Sequence, residues 1–441
     1  MFTRKDLKKL IIPLIIEQML AITVGMADGV MVTRVGEAAV SGVSLVDTIN
    51  VLLIGLFSAM ATGGAVVSAQ FLGQKKTGAA STAGEQLIAA VLVLSLAVMA
   101  MALLFGHSVL KMLFGDVSRD VMDNARIYFL YSAMSFPFIA VHSACSALFR
   151  SMGNSKVSML ISLIMNVINI LGNGILIFGL NMGVAGAAIA TLLSRVVAAA
   201  IMFLLLMKGR QEIRIGNPLA FRINIGMIKR ILKIGIPNGL ENSAFQIGKI
   251  IVQGIIAGLG TSAITANAIA GTVGGMGILP GSAIGLALIT VVGRCMGAND
   301  YAAVKRYTFR LMRFAYIAVA MVNLVIIFLI PAILKLYGVS DQTADIASDL
   351  MLYHCILSSL IWPLSFTLPN ALRAANDVRF TMWISMISMW VWRIGFSYVL
   401  AITLELGVLG IWIAMTIDWL FRSIIFLIRF LQGKYRSMPV M

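Results

Sequence analysis

Charge is scarce in this sequence. Asp, Glu, Lys and Arg make up 12% of 441 residues, about half the share of a soluble domain. Carboxylates are the rarer sign, 18 against 34 Lys and Arg. Three cysteines, Cys145, Cys295 and Cys355, stand far apart. An odd number without metal-ligand spacing excludes a disulfide framework and a thiolate metal site. Three histidines, His107, His142 and His354, form no cluster. No nucleophile–base set or metal cluster supports an enzyme or a bound cofactor. The basic start, MFTRKDLKK, runs into a long apolar stretch with no small-residue cleavage site close behind, so it reads as a first spanning helix and not as a removable leader.

Apolar residues are abundant instead. They form 60% of the chain, with a mean hydropathy of +0.97. One globular core cannot hide that much apolar surface, so lipid must cover the rest. Apolar stretches of about 20 residues recur, each long enough for about 30 Å of hydrocarbon. Such segments must be helices, because lipid satisfies no backbone polar group. The reading is an all-α polytopic membrane protein with twelve spans, near 10–33, 45–71, 84–106, 124–148, 157–178, 183–207, 231–258, 268–292, 308–335, 347–372, 379–402 and 407–431.

The net charge of +16 is a topology signal and not a nucleic-acid footprint. Of the 34 Lys and Arg, 25 fall on one side of these spans, five on the other (Arg34, Lys111, Arg119, Arg126, Lys335) and four inside spans. The basic side holds both termini and the loop containing Arg210 and Arg214, so the positive-inside rule places these in the cytoplasm. Acidic loops, with Asp116, Asp120 and Asp123 in one and Asp341, Asp345 and Asp349 in the other, fall outside.

The sequence also repeats itself. A shift of 224 residues lays Lys5 on Lys229, Pro13 on Pro237, Glu17 on Glu241, Gly36 on Gly260 and Gly73 on Gly297. The register slips by one where Arg150 meets Arg373, then returns where Gly183 and Gly186 meet Gly407 and Gly410. The halves are an N-lobe at 1–207 and a C-lobe at 231–441, joined by a linker or hinge at 208–230. Six spans per half is even, so both halves enter from the same side. Parallel repeats of this kind are a transporter architecture.

Polar residues inside spans are costly and therefore candidates for function. One set is symmetric: Glu17-Gln18 and Glu241-Asn242 each lie four residues after a helix proline. They read either as acids lining a shared cavity for a cationic ligand or as buried acids paired with a lysine, Lys249 standing two turns from Glu241. The other set exists only in the first half. Asp28 has Val252 as its repeat partner, Thr191 has Met415, and Asn166, Asn169 and Asn173 share one helix face by their i, i+3, i+7 spacing. One carboxylate, amide oxygens and a hydroxyl form an inventory for a monovalent cation or a proton, or else a network that packs helices. Arg195, Arg393, Asp418 and Arg422 read as structural or interfacial.

These residues carry a family likeness over essentially the whole chain. Pro13 with Asp28-Gly-Val-Met31, the Gly36–Ser41 loop, Leu148-Phe-Arg150-Ser-Met-Gly153, Asn169-x-x-x-Asn173 with Phe178-Gly179, and Gly183-Val-Ala-Gly186 with Thr191 together resemble the multidrug and toxic compound extrusion (MATE) family of bacterial transporters. The resemblance implies a V-shaped, two-lobed monomer among the lipids of the bacterial plasma membrane. It implies antibiotic-resistance efflux of amphiphilic, cationic drugs by alternating access, in exchange for Na⁺ or H⁺. Asp28, Asn169, Asn173 and Thr191 would form the coupling site; at Asn173 many members carry an aspartate. Two rivals share the parallel halves. A flippase of lipid-linked substrates should line its cavity with several Lys and Arg, and only Lys249 and Arg393 are candidates. A major-facilitator carrier should have an acid after span two, which Gln70–Lys76 lacks.

Overall fold

The computed structural model describes residues 2–115, 117–208, 211–216 and 222–440; Asp116 and Arg210 lie outside these. The described residues form twelve long helices: α1 (Arg4–Thr33), α2 (Glu37–Gly73), α3 (Thr77–Phe114), α4 (Arg119–Ser151), α5 (Ser155–Gly179), α6 (Gly183–Lys208), α7 (Ile225–Ala257), α8 (Thr261–Gly297), α9 (Tyr301–Tyr337), α10 (Asp341–Ala374), α11 (Val378–Thr403) and α12 (Gly407–Leu431). Most extend past the expected spans by a turn or more. Among the described residues, all but α7 are long and apolar enough to cross a membrane. α7 fails by composition, because it carries Lys229, Arg230, Lys233, Glu241 and Lys249; its equivalence to α1 makes it the twelfth span.

The helices form two compact units, Met1–Gly239 and Leu240–Met441. The division falls inside α7, just after Pro237, and not in the 208–230 loop as the repeat suggests. Packing explains the displacement. The first turns of α7 lie on α2 so closely that a Cβ on Gly63 would sit 2.7 Å from the Ile231 carbonyl oxygen. The loop belongs to the first unit as well. Glu85 Oε1 accepts from the Gly216 N–H at 2.8 Å, and Gln86 donates to the Arg222 carbonyl at 2.8 Å and accepts from the Asn224 N–H at 3.0 Å. The described part of the linker is thus a strap tied across α3.

Equivalent helices pack alike. α2, α3 and α4 contact one another, as do α8, α9 and α10; α6 packs on α4 and α5, and α12 on α10 and α11. The most apolar stretches of α4 and α8 are 78% and 67% buried, whereas those of α3 and α9, with mean hydropathy 2.9, are each only 22% buried. The inner helices therefore pack against protein, and α3 and α9 present their apolar sides to lipid.

The duplication also appears in the backbone. Lys75 and Asn299 adopt left-handed φ values of 61° and 54°, as do Asn181 and Glu405 at 51° and 54°. An L-residue adopts this conformation at a cost, so its recurrence at matching turns reflects a shared fold. The register slip has a physical seat. α11 begins 223 residues after α5, yet α12 begins 224 after α6. The extra residue is absorbed in a π-helical turn at Met389–Gly395 that α5 lacks; the π turn of α5, Gly174–Gly179, matches Val399–Thr403 in α11. Closing i→i+5 bonds in place of i→i+4 takes up one residue per turn.

Gly186 and Gly410 hold α6 and α12 against the preceding helices. A Cβ on Gly410 would lie 2.8 Å from the Leu400 carbonyl carbon, which is backbone and cannot step aside, while a Cβ on Gly254 meets nothing within 4 Å. Gly410→Ala is expected to destabilise by about 1–3 kcal/mol through overpacking, and Gly254→Ala to be neutral or slightly stabilising. Thermal unfolding of the detergent-purified variants checks both; equal melting of Gly410→Ala and the parent refutes the packing argument.

Candidate functional site

The asparagine stripe of α5 faces inward as the spacing requires, with Asn166, Asn169 and Asn173 all buried. Asn166 donates to the Leu20 carbonyl of α1 at 2.8 Å. Asn173 Nδ2 donates to Asp28 Oδ1 at 2.6 Å and lies 3.4 Å from Asn169 Oδ1; Asn169 Nδ2 donates to Thr191 Oγ1 at 3.1 Å. Asp28, Asn173, Asn169 and Thr191 thus form one continuous chain across α1, α5 and α6. Asn173 Oδ1 is buried without a hydrogen-bond partner, which leaves an acceptor beside the carboxylate. The π turn Gly174–Gly179 starts directly after Asn173.

A second carboxylate, Asp47 of α2, goes unnoticed in the sequence. It stands two residues into the expected span at 45–71, but α2 starts at Glu37, so Asp47 lies nearly three turns inside the helix. Asn50 donates to its Oδ1 at 3.2 Å. The charges of Asp28 and Asp47 are near enough to act on that of Arg195, whose guanidinium donates to Ser135 Oγ at 2.6 Å. Arg195 is therefore part of this polar site and not a bystander. With both acids ionised, two negative charges meet one positive charge. In that state one negative charge is in excess among the three groups.

The symmetric acids occupy a different setting from the one expected. Glu17 is buried, paired with Arg150 at 3.2 Å and bonded by Ser158 Oγ at 2.7 Å. Glu241 is paired with Arg373 at 2.6 Å. Neither uses Lys249. The arginines are themselves repeat partners, so the pair was duplicated whole. Gln18 is half-buried. Glu241 and Asn242 line a small cavity of about 170 Å³ together with Arg373 and Arg422, whose charges outnumber the single acid. Of the two readings of these acids, the paired one describes their contacts, with an arginine and not a lysine as the partner of each carboxylate.

Twelve helices in two equivalent sets of six, with an acidic pocket built among the helices of the first, define a membrane transporter. The comparisons with known proteins agree. The MatE family signature matches residues 13–175 and again 237–399, two copies displaced by the 224 residues of the internal repeat. The chain is 30% identical to the uncharacterized transporter YisQ of Bacillus subtilis, across 94% of this chain and 91% of that one. It is 29% identical to a protein of Thermotoga maritima described as "Probable multidrug resistance protein NorM", across 99% and 94%. A crystal structure of a MATE protein in its straight conformation shares the fold, with a TM-score of 0.90 at 19% identity, covering 99% of this chain and 97% of that one. The chain belongs to the MatE family of multi-pass transporters.

Proposed function

We propose that this protein is a cation-driven multidrug exporter in which the Asp28 pocket holds the coupling proton or Na⁺. The carrying observation is the chain Asp28–Asn173–Asn169–Thr191, with Asn173 Oδ1 unpartnered beside it. A buried site with one excess negative charge attracts a cation strongly. Occupancy cancels that charge and changes what holds α1 to α5. α1 is suited to respond, because Gly25 and Gly29 flank Asp28 and a Cβ on either would meet nothing within 4 Å, so a bend there displaces no packed neighbour. The 28 methionines suit surfaces that accept ligands of many shapes. The named activity of the Thermotoga maritima relative, multidrug resistance, supports the cargo. In this reading both termini are cytoplasmic and drugs leave the cell.

The test is transport in proteoliposomes with an imposed Na⁺ or H⁺ gradient and ethidium as a fluorescent organic cation. One of the two gradients should drive ethidium movement against its own gradient. Movement that ignores both gradients rules the coupling out.

A further inference from the structure

The second unit contains a cavity of about 380 Å³, within the usual size of small-molecule sites. Its walls include Trp362, Phe366, Trp412 and Trp419, and its charged lining groups are Lys249 and Arg393; no Asp or Glu lines it. The aromatic wall is built in advance. Trp362 and Phe366 stack at 5.1 Å between centroids, and Trp419 meets Phe366 edge-on at 6.1 Å.

The two cations are less closely paired than the other buried charges of this unit. Among the described residues, no carboxylate lies within 4.0 Å of Lys249. Arg393 forms a long ion pair, 3.7 Å from Asp418 Oδ2, while the other oxygen of that carboxylate accepts from Arg422 at 2.9 Å and from Ser388. The Arg393 guanidinium rests over the Phe245 ring at 5.6 Å. The indole Nε1–H of Trp419 is buried with no acceptor, although the residue is only 3% exposed. A charge or donor in an apolar setting is normally paired. Here two cations line a single cavity to which the described residues contribute no carboxylate.

The repeat sharpens the contrast. Where the first half has Asp28, the second has Val252, a core residue. Near the place of Asn169 it has Arg393, carried on the extra π turn Met389–Gly395. The acid of the first half has no acidic counterpart in the second, and the second half carries a cation near the place of a neutral amide. Lys249 and Arg393 look too few and too scattered in the sequence to form an anion site, but the fold brings them to one cavity.

We propose that this cavity binds an organic anion with an aromatic or apolar body, its carboxylate between Lys249 and Arg393 and its body against Trp362, Phe366 and Trp412. Arg supplies a fork matched to a carboxylate and Lys a point charge. Site and ligand class are independent of how transport is coupled, and the test uses no gradient. The purified protein in detergent is titrated with 2-naphthoate, its neutral carboxamide and the corresponding ammonium compound, with tryptophan fluorescence as the readout. The carboxylate should bind at least roughly tenfold more tightly than either analogue. Lys249→Gln should lose a similar factor, as should Arg393→Gln. If Arg393→Gln fails to fold, Lys249→Gln still decides, since its side chain makes no ion pair to lose. Equal binding of the carboxamide, tighter binding of the ammonium compound, or undiminished binding by Lys249→Gln overturns the proposal. Anion binding without gradient-driven ethidium transport would sustain this site and sink the coupling reading; the converse would do the opposite.

Discussion

Asp28→Asn is expected to reduce drug efflux to the level of cells lacking the transporter while the protein stays folded. The substitution keeps shape and the hydrogen bond, because an asparagine oxygen still accepts from Asn173 Nδ2, now at 2.6 Å. Only the charge is lost. Asp47 and Arg195 then cancel, and the pocket no longer attracts a cation. A unit charge at about 4 Å is worth about 4 kcal/mol at the effective dielectric of a protein, so cation affinity should fall roughly a thousandfold. Ethidium efflux from cells and size-exclusion chromatography of the purified variant give the two readouts. Normal efflux from Asp28→Asn would remove this carboxylate from the mechanism.

The second large effect concerns the duplicated ion pairs. Glu241→Ala should leave Arg373 buried without its counter-charge. Breaking a buried pair on one side costs about 3–5 kcal/mol, a large part of a typical 5–15 kcal/mol margin. The double variant Glu241→Ala with Arg373→Met should recover most of that stability, since removing both charges leaves none unpaired. Transport separates a brace from a drug contact. If the pair only braces the unit, the double variant exports ethidium; if Glu241 holds the drug, it folds but does not export. A single variant that melts with the parent would contradict the pairing itself.

Much of this architecture is legible in the sequence because lipid and duplication each leave strong patterns. The 224-residue register marks both repeats, and the asparagine spacing places Asn166, Asn169 and Asn173 on one buried face with Asp28 and Thr191 beside them. Contacts over long separations are not legible in that way. Glu17 and Arg150 are 133 residues apart, and nothing local links them. A signal exists all the same, since Glu17 and Arg150 recur together as Glu241 and Arg373, and two opposite charges kept jointly through a duplication are candidates to touch. Asp47 escapes because hydropathy marks the apolar middle of a helix and not its full length. The strap at 211–216 and 222–224 escapes because backbone N–H and carbonyl groups, which bind Glu85 and Gln86, have no sequence signature. For the same reason the unit boundary moves into α7.

The π turn at Met389–Gly395 bears on how the two halves could diverge. One residue inserted into a regular helix would rotate everything beyond it by about 100° and throw the rest of α11 out of alignment with its neighbours. Confined to a single widened turn, the same insertion leaves the flanking segments on their ancestral faces and re-aims only the side chains it contains. Arg393 is one of them. A duplication followed by the gain of a single residue can thus re-aim one side chain of one half while the helices around it keep their places.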